Sequence, residues 1–504
     1  MTLLFAAFYT TLVCVCGGLL YHNQRTQTPQ TRKETLTEET KTSEAHEDDS
    51  RSGTEVDGDQ SYRPPGFAAF QRRYLALYCA AMFPEWVQGG YVYAVYKAHG
   101  MGAQQIALLY ATGFLASCAS GLFAGALADR HGHRHFALLY AVGGALDAAL
   151  KLSPRVGVQA LSSALSGVCS TLLYTVFDAW MVSAHAARRY PPRLLPETFA
   201  RAMLLNSVCA VLSGVAGSAL ADSPGGLGLG VRAPFALAAA LLVLVLVPAI
   251  LLIMYQNPTP TAVGHSATRS GSSNNSDQIK QETGRVREAW NIIKRDRNVQ
   301  RALTAQALFE TAIYMFVMNW NAVVHGPCQT TEEHVAPLGW IYSAFMLGLA
   351  LGSQLFTLAL RCPALSVPRT CAAAFCAAAA LFLVVVAVQG RGATCAAFAP
   401  GMWTLTLCFT FFETCCGVFY PAIGAVKGAL FPGHVRTTLL GFGRVAQNVL
   451  ILTLLWLSTP WSRATLMLVV AGIALLAALV AFRITVPQQR GEGEEGNISS
   501  VTCD

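Results

Sequence analysis

The stretch RAPFALAAALLVLVLVPAILLIMY, residues 232–255, decides the fold, because no residue after Arg232 in it carries a charge. A helix rises about 1.5 Å per residue, so about twenty such residues cross a hydrocarbon core about 30 Å thick. In lipid the backbone of such a stretch is satisfied only by pairing with itself, as a helix. Working outward, blocks of the same kind recur at 74–97, 104–128, 136–152, 157–184 and 200–221 before it. After it they recur at 301–324, 337–360, 368–389, 400–425, 437–458 and 462–483. One more apolar block, residues 3–21, precedes them all. The composition agrees: 53% of residues are hydrophobic and 12% charged, against about a quarter charged in a soluble domain. These features exclude a soluble fold and predict an all-α membrane protein with twelve core transmembrane helices and one extra N-terminal transmembrane helix.

Hydrophilic segments divide the chain. Residues 22–67 are rich in Thr, Glu, Lys, Ser and Asp and poor in aliphatics, a composition that buries no core. Residues 257–299 separate the sixth and seventh core blocks and end in an amphipathic basic run. The expected organisation is an N-terminal helix over 1–21, a disordered linker over 22–67 and a six-helix half over 68–256. A central loop over 257–299, a second six-helix half over 300–485 and a tail over 486–504 complete it. Two six-helix halves joined by a long loop is the hydropathy pattern of transporters built from repeats.

Cytoplasmic loops retain Lys and Arg. Arg130 and Arg134 follow the second core block, Arg188, Arg189 and Arg193 the fourth, and Arg285, Arg287, Lys294, Arg295 and Arg297 precede the seventh. The loop 325–336 has no Lys or Arg and carries Glu332 and Glu333. Both ends of the core are therefore expected in the cytosol. Arg25, Arg32 and Lys33 follow the first block, which lacks the basic start of a cleaved signal peptide and is expected to be retained.

The net charge of +7 is spread over separate loops. It sets topology and does not point to nucleic acid. Most of the fifteen cysteines fall inside apolar blocks, as small packing residues. Cys328 and Cys395 fall in predicted external loops, either as a disulfide or as a free pair. His131, His133 and His135 lack the context of a metal site, so no metal and no cofactor are expected, and no catalytic constellation argues for an enzyme.

Charges inside apolar blocks are the most informative residues, since each costs about 2.5–3.5 kcal/mol at a helix centre. Glu85, Asp178, Glu310 and Glu413 lie in the first, fourth, seventh and tenth core helices, the first members of four successive three-helix units. Equivalent helices of repeat-built transporters line one cavity. Helical spacing sets Tyr174 with Asp178, Tyr314 with Glu310 and Tyr420 with Glu413, and puts Gln88 on the stripe of Glu85 and Gln306 on that of Glu310. A polar stripe faces protein or water, so these residues line a solute pathway or pair statically with cations such as Arg201 or Arg444.

After the small-residue run 121–125 the chain reads Gly125, Ala126, Leu127, Ala128, Asp129, Arg130, His131, Gly132, His133, Arg134. This resembles the loop between the second and third helices of major facilitator transporters. The resemblance implies a cytoplasmic gate formed by Gly125, Asp129, Arg130, Gly132 and Arg134, with His133, expected at the surface, where a second basic residue is usual. From Phe70 onward the chain is similar to the molybdate-anion transporter family of that superfamily. The matching residues are Glu85 to Gln88 with Tyr91, Tyr93 and Tyr96; Phe177 to Trp180; Thr198 to Arg201 with Asn206; Gln306 to Glu310; Gly417, Phe419 to Pro421; and Phe442 to Val445. Departures from the family pattern are Glu85, where Asp is usual, and Gly90 and Ala446, where Pro is frequent. The resemblance implies the major facilitator fold and uptake of molybdate by alternating access; the plasma membrane is the expected location, and the buried acids, whose neutral form burial favours, are expected to carry protons that compensate the entering anion. The resemblance also implies a pathway that includes Tyr93, Arg201, Asn206 and Arg444. The acid and tyrosine content fits a sugar or an organic cation equally, and the long hydrophilic segments fit a receptor or scaffold that transports nothing.

Overall fold

A computed structural model describes residues 8–20, 63–121, 124–191, 194–222, 227–255, 286–325, 337–361, 366–390, 400–432, 435–458 and 460–486. Every regular element among them is a helix. The first, α1, is Phe8–Leu20. Then follow α2 (Phe67–Gly89), α3 (Val92–Ala98), α4 (Ala103–Gly121), α5 (Ala124–His131), α6 (His133–Leu150), α7 (Val156–Ala187) and α8 (Leu194–Ala221). Next come α9 (Ala233–Ile253) and α10 (residues 286–295). The last six are α11 (Arg297–His325), α12 (Leu338–Ala359), α13 (Val367–Gly390), α14 (Pro400–Leu430), α15 (Arg436–Leu457) and α16 (Arg463–Phe482).

Nine of these are long and apolar enough to cross a membrane by length and composition, namely α7 to α9 and α11 to α16. The other expected core spans are helical and more polar or interrupted. The first breaks at Gly90 and Tyr91, between α2 and α3. Paired glycines weaken the helix there and leave room for the Tyr342 ring, which a Cβ on Gly89 or Gly90 would meet. The third, α6, carries Asp147 inside it. The N-terminal block is described only as α1, shorter than a span; it lies on α12, where Tyr9 Oη and Ser343 Oγ are 2.8 Å apart. Cys328 and Cys395, most of the hydrophilic linker and the tail lie outside the described residues.

The long helices pack as two bundles, α2 to α9 and α11 to α16. Small residues set the closest approaches. In the first bundle α4 meets α7, where a Cβ on Gly167 would collide with the carbonyl oxygen of Gly113. In the second, α12 meets α14, where Gly348 and Gly352 lie against Thr410, Thr414 and Gly417. Lipid gives no hydrophobic drive for helix association, so backbone-close packing of this kind supplies it. The bundles join along α8 and α12, where Gly214 and Gly339 face each other's backbone, and along α4 and α15. In α9 the turn Leu242–Leu246 is π-helical, with the Val247 N–H donating to Leu242 O. Pro248 follows; its ring has no N–H and crowds the carbonyl four residues back, which favours the wider turn.

Candidate functional site

Tyr342, near the start of α12, organises one polar centre between the bundles. It lies within electrostatic reach of Glu413 on α14 and of Tyr174 and Glu85 on the first bundle. Tyr174 in turn reaches Tyr314 on α11. Tyr174 is 52% exposed and Tyr420 is 49% exposed, yet Tyr420 reaches Tyr314, Glu310 and Glu413. Three of the four sequence-predicted acids, Glu85, Glu310 and Glu413, lie within electrostatic reach of this group of tyrosines, Glu413 itself being buried.

A second centre adjoins it. Glu310 Oε1 accepts a hydrogen bond from Gln306 Nε2 at 2.9 Å, the stripe expected from their spacing. Lys427 in the last turn of α14 and Arg444 on α15 both act on this carboxylate, and Arg444 also reaches Tyr314. Neither cation lies within 4 Å of it in an ion pair among the described residues. Gln306 Oε1 is buried without a hydrogen-bond partner.

The remaining predicted residues lie apart from these centres. Asp178 accepts a hydrogen bond from Tyr74 Oη at 3.0 Å. Arg201 is held by Glu197 at 2.7 Å and by Gln71 Oε1 at 2.7 Å. Asn206 Oδ1 accepts from Trp86 Nε1 at 2.8 Å. Gln88 turns back to the carbonyl of Pro84 at 3.0 Å. Tyr93 reaches Arg463 and Tyr110. In the gate motif, α5 is helical, and Gly132 ends it with φ 94°, a left-handed turn that favours glycine. Arg134 stacks over the Tyr255 ring at 4.6 Å. The side chains of Gly125, Asp129 and Arg130 are outside the description. His133 is buried, not at the surface as expected from the sequence, because it opens α6 against the bundle.

Four residues of these centres escape sequence reasoning. Tyr342 and Lys427 were not signalled by any stripe. Asp147 on α6 and Lys151, which caps its C-terminus four residues on, form a buried ion pair in which Ser162 Oγ donates a further hydrogen bond to Asp147, and both act on Glu85. Their i, i+4 spacing was the available signal.

Residues 51–407 match a family described as sugar transporters with 12 transmembrane segments. The molybdate-anion transporter of Xenopus tropicalis is 29% identical over 396 residues, 77% of this chain and 78% of that protein. The protein of the same name from Danio rerio is 29% identical over 399 residues, with the same coverage. The solved xylose transporter of E. coli superposes with a TM-score of 0.60 at 12% identity, covering 84% of this chain and 97% of that one. The two bundles and the family match together place the chain, as a membrane transporter, in that family of the major facilitator superfamily.

Proposed function

We propose that this transporter takes up molybdate as an oxyanion across the plasma membrane, by alternating access of one cavity between two six-helix halves. The observation that carries the reading is Arg444, a guanidinium on α15 within electrostatic reach of Tyr314 and Glu310 and with no hydrogen bond or ion pair to a described residue. A planar donor fork in that position suits an oxyanion. The names of the relatives support the same substrate. Contacts between the bundles gather where Tyr342 meets Gly89 and Gly90 and Gly214 meets Gly339, which supports a state closed at that end.

Proton movement through Glu85 and Glu310 compensates the entering charge. Glu85 faces Asp147, Lys151, Tyr140, Tyr174 and Tyr342. Glu310 faces Gln306, Lys427, Arg444, Tyr314 and Tyr420. The test is uptake of labelled molybdate into cells lacking their own carrier, comparing the chain with Arg444→Ala. Uptake that needs the chain and falls with the variant upholds the reading; inserted protein without uptake ends it. Pairing Glu85→Gln with Glu310→Gln tests coupling, which fails if uptake keeps its full rate and pH dependence.

A second reading, transport of a sugar or an organic cation, is favoured by Gln306 Oε1, a buried acceptor that asks for a donor. Competition of molybdate uptake by tungstate but not by hexoses or amines separates the two.

A further inference from the structure

Asp222, the residue after α8, takes part in neither polar centre and belongs to no motif. Its carboxylate accepts a hydrogen bond from Tyr91 Oη at 3.2 Å and another from Ser218 Oγ, one turn back on α8. The backbone of Gly339, in the first turn of α12, bonds both this carboxylate and Tyr91 Oη. Asp222 has no ion pair among the described residues. The packing around the cluster is tight. Tyr91 is 1% exposed, and a Cβ on Gly217 would stand 2.8 Å from its ring. A Cβ on Gly339 would collide with Gly214 O and with Ser218. Two parts of the first bundle, the break before α3 and the end of α8, thus close on the first turn of a helix of the second.

That turn needs a partner. The first N–H groups of a helix have no acceptor within it, and negative charge beside them is favoured. The residue before α12 is Pro337, whose side chain caps nothing. We propose that Asp222, with Tyr91, is the latch that holds the two bundles shut at this end, a helix cap supplied from the opposite bundle and broken each time the bundles part there. The proposal rests on the alternating-access reading but not on the identity of the substrate. The helices alternate in direction, so the end of α8 and the start of α12 lie at the face opposite the Gly132 turn, the outer face on the expected topology. Tyr91 stands at the break that follows Gly89 and Gly90, so a change of angle there moves its hydroxyl off the carboxylate. On opening, water takes over the carboxylate and the freed N–H, so the latch biases closure without making it permanent.

The experiment uses the purified full-length chain in detergent carrying Ser343→Cys, a reporter in the same seam. Ser343 is fully buried, and its Oγ donates to Val211 O at 2.9 Å. The rate at which a maleimide modifies position 343 is read by peptide mass spectrometry, with native Cys371, buried on α13, as the control. Asp222→Ala is expected to raise the rate at 343 about fivefold, the scale of one lost helix cap. Asp222→Asn, which keeps an acceptor for Gly339, is expected to raise it less. Tyr91→Phe, which removes a single hydroxyl, is expected to raise it in the same direction, and it decides the matter if Asp222→Ala does not fold. An unchanged rate at 343 in either Asp222→Ala or Tyr91→Phe, or a rise matched at Cys371, overturns the proposal. Labelled molybdate flux in liposomes separates the latch from the transport reading. The expected labelling pattern in a chain that carries nothing upholds the latch and defeats transport, and flux with unchanged labelling does the reverse.

Discussion

The two bundles treat their positive charges in opposite ways. In the first, four cations among the described residues have partners: Lys151 has Asp147, Arg201 has Glu197 and Gln71, Arg134 lies on Tyr255 and Arg188 on Phe70. In the second, cations near the helix ends are held by backbone carbonyls, as Arg463 is by Ala322 and Arg436 by Gly428. Lys427, in the last turn of α14, and Arg444 on α15 have neither an ion pair nor a hydrogen bond to a described residue. Charge that is satisfied internally stiffens a scaffold, and charge left unsatisfied waits for a ligand. On the oxyanion reading proposed above, the first bundle is the frame and the second the receiving side.

That contrast is open to attack at several points. The largest effect should come from the seams the bundles share. Gly167→Leu and Gly352→Leu each drive a side chain into facing backbone, and both should abolish monodisperse protein on size exclusion. If only one does, the bundles are not built alike. Next, Lys151→Met leaves Asp147 buried without its cation, and should cost about 3–5 kcal/mol of stability. The double variant with Asp147→Asn should recover part of that loss in thermal unfolding, and no recovery would mean that the pair is not the cause. Third, Arg444→Ala should cut molybdate uptake at least about tenfold, as expected for a charged hydrogen-bonding group, while Arg201→Ala leaves it within a few-fold. Equal losses would erase the distinction between frame and receiving side. The smallest effect belongs to Arg134→Ala, where loss of stacking on Tyr255 should lower stability by about 0.5–1 kcal/mol, read as a slight drop in melting temperature.

Much of the fold is legible in the sequence. Apolar runs of helix-spanning length located the core, because in lipid the backbone has no other way to satisfy itself. Glu85, Glu310 and Glu413 stood out for the same reason, as charges that hydrocarbon does not tolerate. Their partners did not stand out. Spacing along α7 gave Asp178 a tyrosine on its own helix, but the hydroxyl that reaches it comes from Tyr74 on α2, a choice made by helix packing. Lys427 follows an apolar block, where a lysine reads as a loop cation, and only the length of α14 carries it into the bundle. The break between α2 and α3 was hidden because Gly89 and Gly90 interrupt hydropathy very little, while Tyr342, which packs against them, is distant in sequence.

The π-helical turn of α9 bears on the ancestry of the chain. A turn of this kind holds one residue more than the α-helix it replaces, so Leu242–Leu246 has the form of a single-codon insertion absorbed in place. Removing one residue between Leu242 and Leu246 should restore an ordinary α-turn without rotating the flanking faces that bury Phe235 and Ile250. A deletion of that length elsewhere in a spanning helix would turn every later side chain by about 100°, so this one stretch of α9 is where the reading frame of the bundle forgives a change in length.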